Sequence, residues 1–86
     1  MRKRRIEGSE PVYPAQALRN EEEGIVVAKI VIGPEGRVTE ISFIQTHPAF
    51  ERTVREAILG WKFAPHIVNG RPVPVFTVVK FTFRIQ

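Results

Sequence analysis

The chain has 86 residues and contains no cysteine, so disulfides and thiolate metal sites are excluded. The absence of cysteine does not fix the compartment, since periplasmic and cytosolic proteins alike can lack it. No apolar run approaches the roughly 18 residues that a membrane-spanning helix needs. The basic residues 2–5 are followed by a polar segment at 6–10 rather than by a hydrophobic stretch, so we expect no signal peptide at this start.

Motifs for catalysis and metal binding are also missing from the sequence. We find no Ser–His–Asp arrangement, glycine-rich phosphate loop or paired-carboxylate signature. The two histidines, His47 and His66, lie far apart and lack the spacing of zinc ligands. We therefore predict that the protein is not an enzyme and that it holds no metal ion and no cofactor. Trp61 and Phe63 are expected to fill the core rather than to stack on a ligand.

The basic charge is concentrated at one end of the chain. The net charge is +4, and four of the basic residues lie at positions 2–5. Such a run is typical either of a solvated terminus or of a segment that binds nucleic acid or anionic lipid. We favour the first, because a nucleic-acid-binding domain carries basic residues across its folded face as well. We expect residues 1–9 to be a flexible basic lead-in or the cut edge of a longer chain, and residues 10–86 to be one domain.

Hydrophobic periodicity predicts a helix, two strands, a second helix and a third strand. The β-branched run at 25–32 and the segment 38–46 are strands joined by a turn at 33–36, so they pair antiparallel. One face of a helix is predicted by a stripe of Phe50, Val54, Ala57, Ile58 and Trp61.

The ends of these elements are predicted from local signals. Pro14 suits the first turn of a short helix, which we expect Tyr13 and Leu18 to anchor in the core. For the long helix, we expect Thr46 or His47 as the cap, Pro48 at the start and Gly60 as the stop. Residues 62–72 are predicted to be a connection with a tight turn at Asn69-Gly70, followed by a strand at 73–85.

These elements predict an α+β fold. It is a three-stranded antiparallel sheet of order 2-1-3 with one long helix packed on one face and a short N-terminal helix. The first strand is central, because it is apolar on both faces. The third strand is an edge, which Pro74 tolerates. The face toward the helix should carry Val26, Ala28, Ile30, Val79, Phe81 and Phe83. The opposite face should carry Ile25, Val27, Val31, Phe76 and Val78.

This opposite face and the free edge are the candidate interaction surfaces. An apolar patch of this kind is either a partner surface or is covered by the chain termini, and both interpretations stay open. An uncovered edge strand offers unpaired N–H and C=O groups, which are a template for another strand. Functional binding by strand addition uses the same groups.

Five short motifs then occur in order along the chain. They are Tyr13-Pro14 with Ala17, Gly24 with Val26, Pro34 with Gly36-Arg37-Val38, Pro48-Ala49-Phe50-Glu51-Arg52 with Val54, and Trp61-Lys62-Phe63 with Pro65. This series closely resembles the C-terminal domain of the TonB family of energy transducers from Gram-negative bacteria. The resemblance covers about residues 10–86.

The resemblance implies a function in energised transport. Proteins of this family have an inner-membrane anchor, a periplasmic spacer and this terminal domain, and they work with ExbB and ExbD. The terminal domain binds the TonB box of an outer-membrane TonB-dependent transporter, which joins the sheet beside the last strand. Proton-motive-force-derived energy then supports uptake of siderophore-bound iron or cobalamin. The implied location is the periplasm.

The resemblance also implies which residues bind the partner. One group is the stretch Glu10, Pro11 and Val12, where Glu10 departs from the glutamine common in the family. The other group lies on the last strand and consists of Val75, Phe76, Thr77, Val78, Val79, Lys80, Phe81 and Thr82. Two alternatives remain open: a small basic nucleic-acid-binding domain, although no nucleic acid is expected as a partner, and a self-associating module that forms a homodimer.

Overall fold

A computed structural model describes residues 5–85, so the basic residues Arg2, Lys3 and Arg4 lie outside the described residues. The helices are α1 (Ala15–Arg19) and α2 (Glu51–Leu59). The strands are β1 (Arg5–Glu7), β2 (Gly24–Ile32), β3 (Val38–Gln45), β4 (Lys62–Phe63), β5 (His66–Val68), β6 (Arg71–Val73) and β7 (Val75–Phe83).

The main sheet has the antiparallel order β3-β2-β7, which is the predicted order 2-1-3. The central strand β2 pairs with β7 over its whole length, from Gly24 opposite Phe83 to Ile32 opposite Val75. The turn between β2 and β3 is closed by a hydrogen bond of 2.8 Å from the Gly33 N–H to the Arg37 carbonyl. Gly36 in this turn has a φ of 88°, a conformation that favours glycine.

The core lies between one face of this sheet and α2. Val26, Ala28 and Ile30 are fully buried, and Phe81 and Phe83 on β7 are buried beside them. From the helix side, Phe50, Val54 and Ile58 are also fully buried. The alternation along β2 and β7 thus confirms the predicted helix-facing positions, with Val79 partly buried against the core.

Aromatic rings fill the two ends of this core. Phe50 stacks on Phe83 with ring centroids 4.2 Å apart. Tyr13 meets both rings edge-on, at 5.4 Å and 5.6 Å, so the segment before α1 is tied to the end of β7. Trp61 and Phe63 are buried at the other end, which confirms that they belong to the core.

The start of α2 differs from the prediction. A turn at 48–50 precedes the helix, Phe50 is the N-cap residue, and no side chain caps the first turn. His47 supports the turn instead, because its carbonyl accepts the N–H groups of Phe50 and Glu51, and its Nδ1 accepts the Ala49 N–H at 3.1 Å. Thr46 donates its hydroxyl to the Glu51 carboxylate at 3.0 Å. Gly60 is the C-cap, as predicted.

Of the two predicted anchors of α1, Tyr13 packs against the core, as predicted, and Leu18 was predicted wrongly. Leu18 is 51% exposed, whereas Ala17 is buried. A helix of five residues exposes most of its circumference, and its docking is set by Tyr13 and Pro14 before it. The buried position on so short a helix follows from this docking and not from residue size.

The connection after α2 is more ordered than predicted. It contains β4 and a hairpin in which β5 pairs with β6, with Asn69 (φ 51°) and Gly70 (φ 79°) in the predicted turn. Strand β4 pairs with β1, so Arg5–Glu7 is a short strand at the edge of the domain.

Candidate partner-binding site

The free edge of β7 is the first component of the candidate site. Among the described residues, β7 pairs with β2 alone. In an antiparallel pair, successive residues point their N–H and C=O groups alternately toward the neighbour and away from it. About half of the nine residues of β7 therefore present main-chain groups outward. This edge has the geometry that a further strand requires.

The predicted site residues on β7 divide between its two faces. Val75, Thr77 and Val79 are half-buried and Phe81 is buried toward α2. Phe76, Val78, Lys80 and Thr82 are exposed on the opposite face. The side chains of a strand added to this edge would meet an apolar row on one face and a mixed row on the other.

The stretch Glu10-Pro11 lies at the C-terminal end of the same edge. A groove of about 320 Å³ is lined on one side by Glu10, Pro11 and Tyr13, and on the other by residues 80–84 of and after β7. The structure therefore brings together two groups of predicted site residues that are far apart in the sequence.

Val12 does not line this groove. Its side chain is 74% exposed and borders a larger cavity of about 670 Å³ between α1 and α2. The apolar part of that cavity consists of Val12, Pro14, Ala17, Pro48 and Ala49, and its rim is polar. Of the three predicted residues, Glu10 and Pro11 thus line the groove beside β7, and Val12 borders the cavity between α1 and α2.

The sheet face opposite α2 is open among the described residues. Phe76 is 62% exposed, and the Lys29 Nζ lies 4.8 Å from the centre of its ring. Ile25 and Val78 are also exposed. Covering by the termini is not tested, because residues 1–4 and 86 lie outside the described residues.

Charges on α2 are largely paired on its exposed side. Arg52 contacts Glu56 at 3.3 Å, and Arg55 contacts Glu51 at 3.0 Å, both one helical turn apart. Exposed ion pairs of this kind contribute little to stability. The pKa of Tyr13 is raised in the folded domain. Desolvation by burial raises that pKa above 10.0, and the carboxylates of Glu23 and Glu22 add to the effect.

Over residues 5–85, no cluster of three or more histidine, cysteine or acidic side chains is placed to hold a metal ion. In the same range, no helix has the length and apolarity to cross a membrane.

Three residues hold the segment 8–12 through contacts that the sequence did not predict. Thr53 on α2 donates its hydroxyl to the Val12 carbonyl at 2.7 Å, and the Trp61 indole N–H donates to the Ser9 carbonyl at 2.8 Å. Gly8, with a φ of 129°, lies directly against the Trp61 ring. The contacts span 41 and 52 residues of sequence, so local pattern gives no sign of them. The indication that the sequence did offer is that a buried indole N–H needs a hydrogen-bond acceptor.

A small α+β domain whose sheet ends in a free edge strand is built like the modules that bind an extended peptide as an additional strand. The family described as Gram-negative bacterial TonB protein C-terminal matches residues 9–85. The chain belongs to this family, which confirms the resemblance found in its motifs.

Individual relatives agree with this assignment. The protein TonB of Pseudomonas aeruginosa is 33% identical over 78 residues, which cover 88% of this chain and 23% of that protein. The protein TonB of Escherichia coli K12 is 36% identical over 85 residues, which cover 96% of this chain and 34% of that protein. The chain therefore spans only a quarter to a third of these relatives.

A solved structure has the same fold. The solution structure of the TonB C-terminal domain of Pseudomonas aeruginosa superimposes with a TM-score of 0.82 at 29% identity, covering 96% of this chain and 86% of that one. Similarity of this extent includes the three-stranded sheet and its helix.

Proposed function

We propose that this domain is the partner-binding end of a TonB-like energy transducer of the periplasm and that it has no enzymatic activity of its own. Its partner is the TonB box of an outer-membrane TonB-dependent transporter, bound by strand addition to the free edge of β7. The rest of the transducer holds an inner-membrane anchor and works with ExbB and ExbD. The complex transmits proton-motive-force-derived energy for uptake of siderophore-bound iron or cobalamin.

The observation that carries this proposal is the nine-residue edge of β7, which is paired on one side only among the described residues. The groove lined by Glu10 and Pro11 at one end of that edge gives an added strand a defined boundary. Several new main-chain hydrogen bonds at about 0.5–1.5 kcal/mol each, less the cost of ordering the peptide, support a dissociation constant near the micromolar range.

The test is an NMR titration of the labelled domain with a TonB-box peptide from a transporter of the same organism. We expect shifts concentrated on β7 and at Glu10 and Pro11. Shifts confined to the α1–α2 side, or their absence at millimolar peptide, would contradict strand addition.

Peptides with N-methylated amides give a sharper control. An added strand points alternate N–H groups toward its neighbour, so methylation at one set of alternate positions removes its hydrogen bonds. Methylation at the other alternate positions leaves the hydrogen bonds to β7 intact. We expect one peptide to lose binding and its counterpart to retain it. Equal behaviour of the two peptides would indicate a complex held by side chains alone.

Self-association through a sheet edge is the second candidate. It is favoured by the fact that both β3 and β7 end the sheet among the described residues. Sedimentation across a range of concentrations measures it, and a monomer throughout would eliminate it. The nucleic-acid alternative predicts retention on DNA that weakens steeply with salt.

A further inference from the structure

We propose that residues 8–13 form a strap that Thr53 and Trp61 hold in place, so that Glu10 and Pro11 are kept as a fixed wall of the groove at the end of β7. Thr53 and Trp61 are thus positioning residues, and Gly8 is the point at which the strap crosses the Trp61 ring. The role of this wall in partner binding rests on the proposed function.

The strap is held by a side chain of α2, by a side chain just after α2 and by its own Tyr13. The Trp61 indole N–H donates to the Ser9 carbonyl at 2.8 Å. The Thr53 hydroxyl donates to the Val12 carbonyl at 2.7 Å. The Tyr13 hydroxyl donates to the Glu22 carbonyl, and its ring lies against Phe50 and Phe83. The groove wall at Glu10 and Pro11 therefore lies between two fixed points.

The strap itself is stiff at the same positions. Pro11 and Pro14 fix their own φ, and each holds the preceding residue, Glu10 or Tyr13, in an extended conformation. Two fixed carbonyls, Pro11 within the strap and Pro14 directly after it leave few backbone rotations free.

Gly8 permits the crossing at Trp61. Its φ of 129° lies in a region that side chains rarely adopt, and a Cβ there would overlap the Trp61 ring. Any larger residue must shift either the ring or the strap. Trp61 is packed against Phe63 and Phe81, so the strap has the greater freedom to move.

This arrangement explains why a buried tryptophan stands at this place in the core. A phenylalanine would fill similar space, but it has no N–H to donate to the Ser9 carbonyl. Preorganisation of the wall lowers the entropy lost when a partner binds, because the strap is already ordered.

The test compares two isosteric changes. Thr53→Val removes the hydroxyl that holds the strap. Thr39→Val is the matched control, because the Thr39 hydroxyl also donates to a backbone carbonyl, that of Val31 at 3.3 Å, but on the β3 side of the sheet. Backbone amide NMR relaxation at residues 9, 10, 12 and 13 measures the mobility of the strap directly. The single tryptophan gives one indole N–H resonance as a second reporter.

For Thr53→Val we expect greater backbone mobility in the strap, because the hydrogen bond to the Val12 carbonyl is lost. We also expect a shifted indole resonance and an affinity for the TonB-box peptide lowered by about two- to tenfold, which corresponds to one neutral hydrogen bond. Peptide-induced shifts at Glu10 should weaken while those at Val75 and Thr77 persist. Thr39→Val should change none of these. Gly8→Ala should give a larger effect of the same kind.

The outcomes separate the two proposals. If Thr53→Val leaves strap mobility unchanged, Thr53 does not hold the strap and the inference is overturned. Greater mobility with an unchanged peptide affinity overturns the positioning role. If the wild-type domain binds no peptide, strand addition fails, whereas strap mobility and the indole resonance still decide whether Thr53 and Trp61 hold the segment.

Discussion

The two faces of the main sheet are built from the same strands but differ in what covers them. On β2, the even-numbered residues from Val26 to Ile30 are fully buried beneath α2. Their odd-numbered neighbours are exposed or half-buried, and Lys29 among them is charged. Because successive side chains of a strand point to opposite faces, the same strand contributes buried residues to the core and exposed residues to the open face. Stability is thus concentrated on the covered face, and the side chains of the open face contribute less to it.

The largest expected effect compares Phe50 with Phe76. Phe50 is fully buried and stacked on Phe83, so Phe50→Ala should cost about 3–5 kcal/mol, a large part of the stability of a small domain. Phe76→Ala on the open face should change the free energy of unfolding by about 0.5 kcal/mol or less. Urea unfolding followed by circular dichroism measures both. Equal losses would mean that the open face is covered in solution.

A second comparison concerns two glycines in turns. Gly36 has a φ of 88°, and a Cβ there would overlap the Phe63 carbonyl. Gly70 has a φ of 79°, but nothing lies within 4 Å of a Cβ at that position. We expect Gly36→Ala to cost about 2–4 kcal/mol and Gly70→Ala about 1 kcal/mol.

Urea unfolding measures the loss of stability in both glycine variants. Both variants carry the backbone penalty, so their difference isolates the clash with β4. A difference near zero would show that β4 yields easily and that the turn between β2 and β3 is not locked against it.

The sequence predicted those parts of the fold that have a long periodic pattern. The segment 25–32 is a continuous β-branched run, the segment 73–85 assigns its large apolar residues to two faces, and the stripe from Phe50 to Trp61 repeats at helical spacing. Sheet order and both faces followed from these patterns. The edge position of β7 followed from Pro74 and from the direction of the chain. Each of these features follows from a pattern of residues that lie close together in the sequence.

The parts that were not predicted depend on distant contacts. Strands β4, β5 and β6 have two or three residues each, too few to show a period, and β4 is defined by pairing with β1. The exposure of Leu18 follows from how Tyr13 docks on Phe50 and Phe83. The strap contacts of Thr53 and Trp61 join segments 41 and 52 residues apart. For the candidate site, the resemblance predicted both groups of residues, but only the structure places Glu10 and Pro11 opposite the end of β7.

The smallest expected effect concerns Tyr13, where the covered face meets the strap. Burial and the nearby carboxylates of Glu23 and Glu22 raise its pKa in the folded state above the ordinary value of 10.0. The neutral phenol therefore contributes stability that is fully present below pH 10 and is lost as the pH rises through the raised pKa. Absorbance of the tyrosinate at alkaline pH reports this directly, because the chain has a single tyrosine.

Lysine side chains titrate in the same alkaline range, so the Tyr13 contribution must be isolated as a difference. The free energy of unfolding of the wild type should fall more steeply above pH 10 than that of Tyr13→Phe, which has no phenol to ionise. The tyrosinate should also appear at lower pH in urea than in the folded domain. Coincident titrations in the two states would mean that the phenol is as well hydrated in the fold as in the unfolded chain. The Tyr13 hydroxyl, at the C-terminal end of the strap, would then lie in solvent and outside the covered face.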